Sequence, residues 1–308
     1  MLRYTIRRLL EAVIVIIGVT IAAFSISFLA GDPTYIYIGE MKGLTPEDVQ
    51  AFRHRMGFDR PVPVQYMEWL GKAVRGDFGT SYKYKEGNWK LIVERFPTTL
   101  SLSVTALLVQ LIVSIPLGIF AALKRGSKWD SLSTVLALLG QSMPSFWVAL
   151  MLMLIFAVKL KWFPVSGHNQ GIKSMVLPVI TLSFYGIARN TRVIRSSMLE
   201  VLGQDYIRTA RAKGAAEGRV IAKHALRNVL IPFITIVGMD LGSLLSGALV
   251  IETIYAYPGM GTLTINAING RDLNLTQACV TLFALAFVLA NLLVDFAYSY
   301  CDPRVRLS

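Results

Sequence analysis

Residues Asp205 to Pro232 read DYIRTARAKGAAEGRVIAKHALRNVLIP, a strongly basic stretch between two apolar runs. It carries Arg208, Arg211, Lys213, Arg219, Lys223 and Arg227 and is expected to be helical. Asp205 is a good N-cap, the residues after it are helix-compatible, and Gly214 is well placed as the glycine that ends the helix. A short, capped, basic helix in an inner loop of a membrane protein is something for another protein to hold. A plain surface loop would not need that order.

On either side of this stretch the chain is apolar. The protein has 308 residues, of which 54% are hydrophobic and 16% charged, with a mean hydropathy of +0.53. A bilayer crossing needs about 20 residues. Residues 12–30, 96–123, 131–158 and 273–294 are uncharged over roughly that length or more. Two weaker candidates are 174–188, which ends at Arg189, and 228–251, which contains Asp240. The expectation is an all-α integral membrane protein with six transmembrane helices, at about 9–30, 97–123, 131–158, 174–194, 228–251 and 273–298. They form a single membrane domain over 1–308, with an outer insert at 31–96 and an inner loop at 195–227. The first span is long, and Gly31-Asp32-Pro33 is no small-x-small cleavage site, so it is expected to be a retained span.

Basic residues orient the spans. Seventeen fall in segments on one side: Arg3, Arg7, Arg8, Lys124, Arg125, Lys128, nine from Arg189 to Arg227, Arg304 and Arg306. The short loops opposite hold four: Lys159, Lys161, Lys173 and Arg271. The insert carries ten Lys/Arg against nine Asp/Glu, and loops of that length escape the positive-inside rule. Both termini are therefore expected to be cytoplasmic. Topology explains the net charge of +12, and no nucleic-acid partner is needed.

Cys279 and Cys301 are 22 residues apart on one span, roughly 33 Å along a helix. That is too far for a disulfide within the chain. His54, His168 and His224 fall in three different loops, so no metal site is expected. No phosphate-binding G-x-x-x-x-G-K-[ST] loop occurs, nor G-x-S-x-G, nor H-E-x-x-H. The chain has no visible catalytic machinery and no ATP site of its own.

The insert is organised. Thr45-Pro46-Glu47-Asp48 reads as an N-cap, a proline at the first helical position and acids in the first turn, with Gly57 as the stop. A second helix begins near Pro63 and runs through Tyr66, Trp69, Leu70 and Val74 to Gly76, its apolar residues at helical spacing. This insert is either a lid packed on the membrane domain or a receiver for a substrate or delivery protein.

Inside the spans, Pro116 interrupts the second and Gln141-Ser142-Met143-Pro144 the third. A proline there frees a carbonyl that must find a partner or line a wet cavity. In the fifth span Gly238 and Gly242 permit close helix packing, and Asp240 lies between them. An intramembrane carboxylate faces protein or water. Asp240 is thus either a packing partner bonded to a neighbouring hydroxyl or arginine, or part of a passage. Candidates for lining that passage are Gln141, Ser142, Pro144, Asp240 and Ser243.

Taken in order, several segments resemble the first of the two permease subunits of dipeptide, oligopeptide and nickel ABC importers. They include Arg7-Arg8, Gly31-Asp32-Pro33, Gly76-Asp77-Phe78-Gly79, Lys124-Arg125-Gly126-Ser127, Ser142-Met143-Pro144 and Pro164-Val165-Ser166-Gly167. Further on come Arg195 to Leu202, Asp205 to Gly214, Glu252-Thr253-Ile254, Pro258-Gly259-Met260-Gly261 and Asp302-Pro303-Arg304. The likeness covers nearly the whole chain. It implies the type I ABC importer permease fold, with the helical insert between helices 1 and 2. The wider permease pattern reads Glu-Ala-Ala, three residues, Gly, nine residues, Ile-x-Leu-Pro. Here Ala210, Gly214 and Leu226 match it, while Arg208, Thr209, His224 and Arg227 depart in the manner of the peptide and nickel branch.

The resemblance assigns ATPase docking to Asp205, Tyr206, Arg208, Thr209, Ala210, Arg211, Ala212, Lys213 and Gly214. Ala210, Ala212 and Gly214 would keep the helix thin enough to enter a groove, and the arginines would meet ATPase carboxylates. It further implies a homologous second permease, two ATPase subunits that hold ATP and Mg, and an extracytoplasmic solute-binding protein, all at a bacterial or archaeal plasma membrane. This chain would form half of a peptide pathway within the membrane lipid. Nickel, glutathione and oligosaccharides use similar permeases and stay open as cargo. A secondary transporter is the rival class, but no internal repeat or coupling-ion site is visible. An ABC exporter would extend its spans far into the cytoplasm, and these inner loops are short.

Overall fold

The computed structural model describes residues 2–29, Thr34 and 45–301. The Gly31-Asp32-Pro33 and Asp302-Pro303-Arg304 motifs, the C-terminal Arg304 and Arg306, and the side chain of Cys301 lie outside the described residues. The elements are α1 (Leu2–Leu29), α2 (Pro46–Met56), α3 (Val62–Ala73), α4 (Asn88–Leu123), α5 (Lys128–Ser142) and α6 (Ser145–Leu152). Then follow α7 (Ile172–Leu202), α8 (Asp205–Ala212), α9 (Leu226–Ile254), α10 (Met260–Asn269) and α11 (Leu273–Cys301). α6 runs on as π-helical turns over Met153–Lys159. A single turn at Glu217–Arg219 and a π-helical stretch at Val220–Ala225 lead into α9. Among the described residues the only extended pairing is an isolated bridge between Thr80 and Gly87.

Among the described residues five helices are long and apolar enough to cross a membrane, over Ile6–Ser25, Asn88–Leu123, Ile172–Leu202, Ile236–Ile254 and Leu273–Leu293. The expected third span is α5 and α6, bent by 104° at Met143-Pro144. The bend falls at the expected place because Pro144 has no N–H to continue the ladder. Pro116, in contrast, does not interrupt its span: α4 passes through it as continuous helix. Helix ends also shift. α4 begins at Asn88, well before residue 97, and α7 continues to Leu202, so the inner loop opens as helix.

The chain divides into two compact units, 1–98 with 259–288, and 99–258 with 289–308. In the first unit, Phe78, Leu91, Ile92, Met260, Leu263, Leu275 and Cys279 form the core. The Gly76-Asp77-Phe78-Gly79 motif is explained here. Gly76 and Gly79 adopt φ of +82° and +74°, and Phe78 stacks on Trp89 at 5.8 Å. Asp272 fixes the loop by accepting from Ser81 Oγ at 2.5 Å and from the Lys83 amide at 3.1 Å. The insert helices form as the sequence indicates. Thr45 and Asp48 complete a capping box, and Gly57 ends α2 at φ +74°. α3 starts at Val62 and ends at Ala73, a turn short of the expected Gly76. Its Tyr66 and Trp69 pack on Phe24 of α1, and Tyr66 shares a 3.0 Å hydrogen bond with Thr20.

The second unit holds two apolar cores. One gathers the middle of α4, the N-terminal end of α7 and the C-terminal end of α9, with Leu102, Ala106, Ala157, Leu177, Ile251 and Tyr255. The other gathers the opposite ends, with Ala122, Ile194, Met198, Ile207, Val220 and Val229. α5 starts beside the second core, where Asp130 meets Arg195, and the π-helical turns that continue α6 reach the first, at Ala157. The bent pair therefore runs from one end of the unit to the other and counts as one crossing. α7 is the central element: a Cβ on Gly118 of α4 or Gly140 of α5 would press against its Ile194 or Ala188 at 2.7 and 2.9 Å.

Candidate functional site

Between the two apolar cores of the second unit lies a polar layer. Asp240, half-way along α9 and 4% exposed, accepts from Arg189 Nη1 on Oδ1 at 2.8 Å. Its Oδ2 accepts from Asn190 Nδ2 at 2.8 Å and from the Gln110 side-chain amide. Burying a lone carboxylate costs several kcal/mol, so a guanidinium and two amides meet it from α7 and α4. Gln110 can reach it because it passes over Gly186, where any Cβ would overlap the Gln110 carboxamide.

Beside this layer is a cavity of about 420 Å³, within the range that holds small ligands. All five residues expected to line a passage, Gln141, Ser142, Pro144, Asp240 and Ser243, border it together with Arg189 and Tyr185. The bend at Met143-Pro144 turns α5 away and leaves this space against α7 and α9. Asp240 is bonded to an arginine, as the packing alternative expects, and it also borders the cavity. Gly238 and Gly242 are buried on the same helix face, as close packing requires.

Arg189 changes its meaning. It does not end the fourth span but sits inside α7 at the level of Asp240, and its removal from the inner basic set leaves that bias large. α7 carries a second paired arginine. Arg195 grips Asp130 through Nε at 2.5 Å and Nη2 at 2.8 Å, while the Gly126 amide donates to Asp130 Oδ2 at 3.0 Å. Ser127 caps α5 by accepting the Asp130 amide.

The basic helix expected at 205–214 is α8, Asp205–Ala212. Gln204 takes the N-cap position in extended conformation, and Asp205 is the first helical residue with its side chain 95% exposed. The carboxylate thus faces the helix N-terminus without bonding it. Gly214 does end the helix. At φ +78° it lets the Ala215 amide reach Ala210 O at 3.2 Å and its own amide reach Arg211 O at 2.9 Å, the paired bonds of a Schellman motif. Ile207 is fully buried in the second core, which stabilises the docked helix by about 1.5–3 kcal/mol. Ala210 also turns toward that core, so its small side chain serves the chain's own packing. Tyr206, Arg208, Thr209, Ala212 and Lys213 face outward. Arg211 is held by Glu217 at 2.6 and 3.1 Å, and this bond keeps the Glu217 carboxyl below its ordinary range.

Sequence reading missed Gln110, Asn190 and the Asp130–Arg195 pair. Ser127-x-x-Asp130 resembles a capping signature and could have flagged the start of α5. Among the described residues no group of three His, Cys, Asp or Glu side chains could hold a metal ion.

Residues 114–307 match the family described as binding-protein-dependent transport system inner membrane component. Residues 1–103 match the N-terminal membrane component of the same kind of system. The chain is 39% identical over 337 residues to the dipeptide transport system permease protein DppB of Escherichia coli strain K12, with 99% of each chain covered. It is 40% identical over 334 residues to the DppB of Alkalihalophilus pseudofirmus, covering 99% of this chain and 100% of the relative. Among solved structures it is similar to a chain of the MetNI methionine ABC transporter in an inward-facing conformation. The TM-score is 0.60 at 16% identity, over 69% of this chain and 96% of that one.

Proposed function

The chain belongs to the family of binding-protein-dependent transport system inner membrane components, and from that premise we propose that it forms half of the membrane path for di- or oligopeptides in an ATP-driven importer. The observation that carries this reading is the full-length likeness to dipeptide permeases. The all-helical fold agrees with the MetNI permease, as expected of a type I importer. The chain is a membrane component and not an enzyme. Nickel, glutathione and oligosaccharides are not favoured as cargo, and the secondary-transporter reading is set aside by the family.

In this proposal a homologous permease supplies the other half of the path. Two ATPase subunits bearing ATP and Mg sit on the cytoplasmic side, where both termini also lie, and an extracytoplasmic binding protein delivers the peptide. α8 is the docking element, through its outward residues and the charges of Arg208 and Lys213. Two residues, Gly203 and Gln204, link it to α7, and Ile207 locks it to Ile194, Met198 and Val229. A push on α8 therefore reaches α7 and α9 together, and these two helices border the cavity. The insert packs on α1 through Tyr66 and Trp69, which supports the lid reading.

The test is purification of the tagged chain from its native membrane, followed by reconstitution. Copurification of ATPases and a sister permease, with ATP-dependent uptake of radiolabelled dipeptides on addition of the binding protein, is the expected result. A chain that purifies without ATPases, or a complex that accumulates no peptide, would refute the proposal.

A further inference from the structure

We propose that Arg189 is a carboxylate-binding residue of the cavity, which receives the free main-chain carboxylate of a passing peptide while Asp240 holds the guanidinium in place. This rests on the peptide-importer reading above and names what the cavity would recognise.

The guanidinium has five N–H donors, and its bond to Asp240 runs through Nη1 alone. Its side chain is 30% exposed, against 6% for that of Asp240, and it borders the 420 Å³ cavity. Asp240 is engaged by three donors on three residues, so it acts as anchor and counter-charge. Arg189 keeps unused donors toward the open space, in the fork geometry that suits carboxylates.

The rest of the lining suits the other end of a peptide. Ser142 Oγ donates to Leu138 O at 2.9 Å and Ser243 Oγ to Met239 O at 3.0 Å. Each hydroxyl thereby spends its only proton on its own helix and presents lone pairs to the cavity, where an ammonium can donate. The cavity thus offers a guanidinium to a carboxylate and hydroxyl lone pairs to an ammonium, the two needs of a zwitterionic main chain. Among the described residues no charged group other than Arg189 and Asp240 borders the cavity, so side-chain charge on the cargo would matter little.

The experiment uses the reconstituted complex with its binding protein saturated by alanylalanine or by its C-terminal amide. The ratio of acid to amide initial uptake is compared between wild type and Arg189→Gln, so selection by the binding protein cancels. The ratio is expected to fall about ten-fold or more, the change carried by losing one charge-assisted hydrogen bond. Should Arg189→Gln fail to assemble with its ATPases, the double variant Arg189→Gln with Asp240→Asn, which leaves no unpaired buried charge, carries the comparison. An unchanged ratio in whichever variant assembles would overturn the proposal, as would failure of both to assemble, since the pair would then be structural. A wild-type complex that moves neither peptide would instead refute the peptide-importer reading itself.

Discussion

Replacing Asp130 with alanine should break the link between the start of α5 and the end of α7 and destabilise the second unit by about 3 kcal/mol. The figure follows from the contacts. Asp130 has a side chain 8% exposed and accepts from two of the three guanidinium nitrogens of an Arg195 that is 25% exposed. Removing one partner of a buried pair costs about 3–5 kcal/mol, and the remaining exposure of Arg195 puts this case at the low end. The Gly126 amide also loses its acceptor. Removing both partners should cost less than the two single changes added, with a coupling near 2 kcal/mol, because no stranded charge remains. Denaturation midpoints of wild type, Asp130→Ala, Arg195→Ala and the double variant in detergent, followed by tryptophan fluorescence, give the cycle. Additivity within about 0.5 kcal/mol would refute the view that this contact is an energetically coupled ion pair.

Two further outcomes follow from α8 and from the charge pattern. Gly214→Ala meets no steric obstacle, since a Cβ there touches nothing within 4 Å. It nonetheless forces an L-residue to φ +78°, at about 1–2 kcal/mol. ATPase copurification and uptake should fall, Gly214→Asn should be milder, and equal behaviour of all three would remove the Schellman cap from the docking account. After replacement of the native cysteines, single cysteines at Lys83 and Gly171 should react with an impermeant thiol reagent in intact cells, and those at Lys128 and Gly218 should not. Reaction at Gly218 would overturn the placement of both termini inside.

The residues that could be read from sequence are those whose cause is local. Gly214 and Gly57 announce left-handed helix ends, Thr45-x-x-Asp48 announces its own cap, and Pro144 must break a ladder. Four of the six expected crossings follow from charge-free length. The relations that were not legible join distant positions. Nothing near Gln110 distinguishes it from a tolerated polar residue in an apolar run, because its partner is 130 residues away. Arg189 looked like the end of a span for the same reason: an arginine inside a bilayer is credible only once its carboxylate is known. Asp205 misled in the opposite direction. Its residue type suits an N-cap, but the extended conformation that defines the cap falls to Gln204, and composition does not fix that one-residue register.

The Arg189–Asp240 pair has a consequence for how the chain is made. The two residues are 51 positions apart, and synthesis proceeds at about 5–20 residues per second. Arg189 therefore reaches the insertion machinery roughly 3–10 s before its counter-charge exists. Its helix is the least apolar of the five long apolar helices, the segment holding Asp240 comes next, and α4 is the most apolar. A lone arginine at mid-bilayer opposes insertion by about 2.5–3.5 kcal/mol. α7 is thus a poor solitary passenger, and its insertion is expected to be complete only once α9 brings Asp240 to Arg189.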